Sequence, residues 1–149
     1  MNHIASRRAA RGFTLIELLA AVGIAGVLSS LAWPSFEGSL QKGRRTDAML
    51  AMAQLQIAQE RWYANHRRYG TLAELRLGER SGAGHYRLDV SAADEQGYVA
   101  LAQASGAQAR DAACRHLRLS VVGGLTRRES GADEGVANDE AANRRCWGL

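Results

Sequence analysis

The sequence is short of the residues that most enzymes and metalloproteins use at their sites. It has two cysteines and four histidines, and His3, His66, His85 and His116 share no metal-ligand spacing with one another or with a cysteine pair. No metal site is expected, and no cofactor. The glycines at 78, 82 and 84 fit neither a phosphate-binding loop nor a dinucleotide fingerprint, and no nucleophile stands in a recognisable constellation with a base, so an enzyme is the least supported class. Asp133-Glu134 and Asp139-Glu140 do not follow an EF-hand order and read as a solvated acidic loop. A single proline beside 16 glycines excludes collagen-like and proline-rich chains. With 149 residues, 46% of them apolar, there is material for one modest folded head plus appendages.

What is present is concentrated at the N-terminus. Residues 13–33, FTLIELLAAVGIAGVLSSLAW, hold fifteen apolar residues and one acid, Glu17. As a helix at ~1.5 Å per residue this run reaches roughly 31 Å, the thickness of a bilayer's hydrocarbon core. Arg7, Arg8 and Arg11 precede it and no comparable basic run follows within eight residues, which places the N-terminus in the cytoplasm and the remainder outside. A secretory signal peptide has a similar basic and apolar order. Here, however, the apolar run is longer, ends in Trp33-Pro34-Ser35 rather than at a small-x-small site, and carries an acid near its start. Arg7-Arg8 lacks the residues that follow a twin-arginine pair.

Glu17 is the residue a simple anchor would not contain, since a carboxylate at the centre of a membrane helix costs about 2.5–3.5 kcal/mol on insertion scales. It favours the N-terminus of its own helix through the dipole. Cleavage after Gly12 would also create an α-amino group on Phe13, four residues away, and Glu17 could pair with that amine on a neighbouring subunit. Gly12-Phe13-Thr14-Leu15-Ile16-Glu17 resembles the prepilin cleavage motif, and Gly26 and Pro34 fall where type IV pilins carry helix-loosening residues. The resemblance implies removal of a leader, residues 1–12, by a prepilin peptidase, N-methylation of Phe13, and packing of residues 13–36 first in the inner membrane and then in a filament core. It implies assembly through Phe13 and Glu17, and local unwinding near Gly26 and Pro34. Proline has its own reason to kink a helix, because it lacks an N–H and clashes with the preceding turn.

Residues 37–149 form the expected head, exposed to the periplasm and then the cell surface. Ala48, Met52, Leu55, Ala58 and Trp62 recur at three- and four-residue intervals and predict an amphipathic helix over 46–66. Thr71-Leu-Ala-Glu74 has capping-box spacing, with Trp62, Tyr63 and Tyr69 expected to pack beneath that loop. Tyr86, Leu88 and Val90, and then Leu117, Leu119 and Val121, alternate with polar residues as strands do, and Tyr98 to Ala104 is a weaker third candidate. Ala92 to Gly97 reads as a hairpin loop, and Gly123-Gly124 as the end of the last strand. The fold class is therefore α+β, a helix across a small antiparallel sheet of three to four strands.

An exported head makes a Cys114–Cys146 disulfide the default. The region it bounds resembles the D-region of pilins, and Asp111, Cys114 and Cys146-Trp147 look like the minor pilin branch called PilE of Gram-negative bacteria. That resemblance implies a pilus structural subunit, with other pilins and the prepilin peptidase as partners. A DNA-binding competence pilin and a type II secretion pseudopilin share the leader and helix and stand as alternatives. The pI of 9.6 favours nucleic acid less than it first implies. Taking the three leader arginines from 19 basic side chains leaves 16 against 15 acids. The basic clusters of the mature part, such as Lys42, Arg44 and Arg45, then Arg61, Arg67 and Arg68, or Arg127 and Arg128, form a DNA footprint only if several meet on one face, and otherwise read as solvated surface.

Overall fold

A computed structural model describes residues 12–149, except for the side chains of residues 32–35; the leader before Gly12 and the expected kink at Pro34 lie outside the described residues. Two compact units are distinguished, one reaching Gly38 and the other Ser39–Leu149. Helix α1, Leu15–His66, contributes to both.

In the first unit the helix carries its apolar side chains with no cover. Phe13 is 88% exposed, and every leucine, isoleucine and valine from Leu15 to Leu31 is at least 61% exposed. Its first turn is closed by a reciprocal cap. Thr14 donates to Glu17 Oε2 from both its N–H and its hydroxyl, each at 2.8 Å, while Glu17 N–H donates back to Thr14 Oγ1 at 3.3 Å.

The second unit is an α+β head. From Ser39 to His66 α1 is built from strong helix formers, alanine, methionine, leucine and glutamine, and it ends where Arg67 turns left-handed (φ 58°) with its N–H on Tyr63 O. Four strands follow: β1 Tyr86–Ser91, β2 Gly97–Ala104, β3 His116–Val122 and β4 Leu125–Gly131. They form an antiparallel meander in the order β1-β2-β3-β4. Two-residue alternation sets the faces. Tyr86, Leu88, Tyr98, Ala100, Ala102, Leu117, Leu119 and Val121 are buried together with Ala48, Ala51, Met52 and Leu55 of the helix in one core. The inward stripe of α1 is not the expected one at its end. Ala58 is only half-buried and Gln59 is fully buried in its place, its amide satisfied by Gly70 N–H at 2.8 Å and Gly70 O at 2.7 Å.

The Thr71–Glu74 cap forms as expected. Glu74 accepts from Thr71 N–H at 2.9 Å and from the Arg68 guanidinium at 2.6 Å. The hydrogen bond from Arg68, followed by that from Thr71, brings the Glu74 carboxyl down to about 2 from its ordinary 4.5. A lowered carboxylate stabilises the fold above its unfolded value and loses that contribution as pH falls through the folded one. Acidification from pH 4.5 towards about 2 should therefore weaken this turn. The protection factor of the Thr71 amide, its exchange relative to an unstructured chain at the same pH, should fall across that window in the native chain and stay flat in Glu74→Gln; equal curves for the two would refute the assignment.

Gly123 and Gly124, at φ 56° and 80°, make the two-residue turn into β4, a conformation that favours glycine at both positions. The strand they launch lacks apolar alternation and lies at one sheet edge. Its carbonyls meet the C-terminal segment: Arg128 O accepts from Asn143 Nδ2 at 2.6 Å, Glu129 O from the Trp147 indole at 2.9 Å, and Ser130 O from Asn138 N–H at 3.1 Å. Helix α2, Glu140–Trp147, supplies Asn143 and Trp147, capped by Asp139 at its start and left-handed Gly148 at its end. At the opposite edge, Leu88 N–H of β1 donates to Glu79 O, and Arg80 bridges to Arg87.

Candidate functional site

The sequence-predicted site residues fall into two groups, one in each unit. In the first, Glu17 is held by Thr14 within its own helix turn, as the helix-terminus reading expects. Both bonds end on Oε2. Among the described residues Oε1 takes none, so one oxygen can still receive a cationic group. Gly23 and Gly26 are both helical, and a Cβ built on either would meet nothing within 4 Å. Among the described residues no single helix is long and apolar enough to cross a membrane; Leu15–Leu31 and Phe36–His66 meet that test only as a pair, by length and composition alone.

In the head, the Cys114–Cys146 disulfide is formed, with Cα atoms 5.4 Å apart and both residues fully buried. It joins the short turn just before β3 to α2. With that bond formed, hydrogen bonds also hold the loop it closes. Asn138 Nδ2 donates to Ala113 O at 2.7 Å and to Ser130 Oγ at 2.9 Å, and Ser130 Oγ donates to Asn143 at 2.8 Å. Its acids have local duties: Asp133 closes a turn on Gly135 N–H, Asp139 caps α2, and Glu140 faces Arg144 at 3.7 Å. No group of three or more metal-ligating side chains is found among the described residues.

Beside the disulfide lies a polar network that sequence reading missed. Arg45, counted there among the surface cations, is only 12% exposed and forms a two-pronged pair with Asp111 at 2.6 and 2.9 Å, its third nitrogen reaching Arg145 O at 3.2 Å. Gln108, fully buried, donates to Asp111 Oδ2, Tyr86 Oη and Gln41 O. Burial pushes the Tyr86 hydroxyl up to about 12, and the hydrogen bond from Gln108 opposes the rise. Helix α1, β1 and the disulfide corner are thus tied through one ion pair. Asp111 near Cys114 was visible as a pattern; its partner, 66 positions earlier, was not.

Some basic residues do converge. Arg61 of α1 and Arg76 of the following loop line one cavity of about 350 Å³ with Trp62, Asn65 and His66. His66 stacks on Trp62 at 3.7 Å, and the Arg68 guanidinium lies 5.8 Å from the Trp62 ring. Arg127 and Arg128 alternate across β4, so they do not share a sheet face; Arg128 turns towards Trp147 at 5.9 Å. His116 opens β3 and is buried at 5% exposure.

Comparison with known proteins agrees with this architecture. Residues 7–33 match the family described as prokaryotic N-terminal methylation motif, and residues 34–118 match that described as type IV minor pilin ComP, DNA uptake sequence receptor. The chain is 33% identical over 87 residues to the type IV major pilin protein PilA of Myxococcus xanthus, covering 56% of this chain and 39% of that one. It is 36% identical over 59 residues to the type II secretion system core protein G of Pectobacterium carotovorum, covering 40% and 38%. It is 38% identical over 50 residues to the prepilin peptidase-dependent protein D of Escherichia coli, covering 34% of each. The matching segments span less than half the length of these relatives. The second family match alone takes in more than half of the chain and joins the methylation-motif helix to the disulfide corner, so the protein belongs to the type IV minor pilin family.

Proposed function

We propose that the chain is a PilE-like minor subunit of a type IV pilus, made with a leader that is cut between Gly12 and Phe13, N-methylated at Phe13, and assembled with other pilins through the helix from Phe13. Before assembly residues 13–36 hold it in the inner membrane of a Gram-negative cell with the head in the periplasm; afterwards it lies in a surface filament. The observation that carries this reading is the uncovered apolar helix with an acid in its first turn. An apolar surface of that extent needs lipid or neighbouring helices around it, and the open Oε1 of Glu17 fits a free amine on an adjacent Phe13. Pro34 and Gly26 are the positions at which the helix would loosen on leaving the bilayer.

Two substitutions test the reading together. Gly12→Leu should leave the leader attached, seen as a heavier full-length species by mass spectrometry. Glu17→Val should be processed normally yet be nearly absent from sheared filaments. A processed Gly12→Leu protein would remove the peptidase step, and wild-type recovery of Glu17→Val would remove the role of the acid.

A second reading, contact with DNA, is favoured by the family's description as a DNA uptake sequence receptor and by the Arg61, Arg76 and Trp62 surface, which pairs cations with an aromatic stack. Gel-shift titrations across salt concentrations should show steeply salt-dependent binding, the slope falling by about one for each phosphate-contacting arginine removed. Arg61→Ala/Arg76→Ala should thus reduce it by about two. Salt-independent binding, or a slope unchanged in the double variant, would refute this surface.

A further inference from the structure

The near-neutral charge of the mature chain conceals an imbalance of kind. Lys42 is the single lysine among 19 basic side chains, so guanidinium groups supply nearly all the positive charge. Many acids already face an arginine within the chain: Asp111, Glu74, Glu79, Glu129 and Glu140. Among the described residues Glu60 and Glu95 form no ion pair. Both line one cavity of about 420 Å³, walled further by the rings of Tyr63 and Tyr69 and by the hairpin tip at Val122, Gly123 and Gly124.

The chemistry of those walls is selective. The Tyr63 and Tyr69 ring centroids are 4.8 Å apart, tilted by 32°. Against Tyr69, at 4.9 Å, lies Tyr98, which is 1% exposed and whose hydroxyl has no hydrogen-bond partner among the described residues. Burial first, and then the charge of Glu60, push the hydroxyls of both Tyr69 and Tyr98 up, so the tyrosines stay neutral. An anionic phosphate is repelled here. The cavity's two carboxylates belong to no group of three or more metal-ligating side chains among the described residues, which argues against a calcium ion with its six to eight oxygens. A flat, weakly hydrated cation suits the walls best, because it can lie on a tyrosine face while its N–H groups reach carboxylates.

We propose that this cavity receives an arginine guanidinium from a second copy of the chain. Exposed arginines are available to provide it. The Arg127 side chain is 76% exposed, and its ion-pair contact within the chain is a loose one of 3.9 Å to Glu129. The source of the guanidinium rests on the filament reading above, whereas the selectivity of the cavity does not.

The full-length chain in detergent micelles, labelled with ¹³C on its tyrosine rings, is titrated with arginine methyl ester, and separately with lysine methyl ester and sodium chloride at matched ionic strength. The Tyr63 and Tyr69 signals should move saturably with the arginine ester alone, and Glu60→Gln/Glu95→Gln should weaken that response about tenfold without moving the thermal midpoint. A response to sodium chloride equal to that with the arginine ester, or one unchanged in the double variant, overturns the cavity. In a second arm a photo-reactive group replaces Gln96 at the rim, and cross-linking is measured between two differently tagged copies. Cross-links that disappear on adding arginine ester, or in the Glu60/Glu95 double variant, support the second copy as the source. Cross-links indifferent to both overturn it. An arginine-selective response from a chain that never enters filaments supports the cavity and removes the filament reading instead.

Discussion

Asp111→Ala should cost about 3–5 kcal/mol of folding stability, because it leaves the Arg45 guanidinium buried without its counter-charge. Arg45 is 12% exposed, and with Asp111 gone its remaining fixed contact is the Arg145 carbonyl at 3.2 Å. Gln108 would lose one of its three acceptors at the same time. Against a total stability of about 5–15 kcal/mol this is a large fraction. Chemical denaturation followed by circular dichroism measures it. The diagnostic comparison is Arg45→Met/Asp111→Ala, in which both charges are removed and much of the loss should return. A double variant as unstable as the single one would show that the cost came from lost packing and not from a stranded cation.

Opening the Cys114–Cys146 bond is expected to have an effect of similar size. The cysteines are 32 positions apart, and a bond closing such a loop contributes about 3–4 kcal/mol by constraining the unfolded chain. The structure adds a local component, since this bond pins α2 where Asn143 and Trp147 reach β4. In Cys114→Ser/Cys146→Ser, hydrogen exchange should rise first at α2 and β4, while β1 and β2 stay protected. Uniform loss of protection would mean that the bond acts through the unfolded state alone. Unchanged stability would remove it as a stabilising element.

The parts of this fold that were legible in the sequence are those in which a local period coincides with burial. Tyr86-Leu88-Val90 and Leu117-Leu119-Val121 alternate because one face of the sheet meets the helix, and three of the four strands follow from that pattern. The fourth was hidden: LTRRESG has no apolar alternation, since an edge strand with a mostly exposed face is under no demand for it. Its only signal was Gly123-Gly124, which marks a tight reversal as readily as a strand's end. Gln59 in place of Ala58 could not be foreseen from hydropathy, because it is buried to satisfy the backbone of Gly70, eleven residues on. Arg45 looked like solvated surface for a similar reason. Its partner is brought to it by the fold, and spacing along the chain carries no trace of that distance. The N-terminal motif was legible because it is one contiguous run, Gly12 to Glu17, whose pattern does not depend on how distant segments fold together.

The two edges of the sheet have a meaning that reaches beyond the single subunit. An unpaired strand edge is an invitation to any similar strand nearby, and a crowded filament brings many identical chains into close quarters. Here the C-terminal segment occupies the carbonyls of Arg128, Glu129 and Ser130, and the stretch around Glu79 and Arg80 covers part of β1. The covalent bond to Cys146 helps hold that segment in place, so on the filament reading proposed above an oxidised head would offer less free edge for strands to be exchanged between copies. On that reading, contacts between neighbouring heads would fall mainly to side chains.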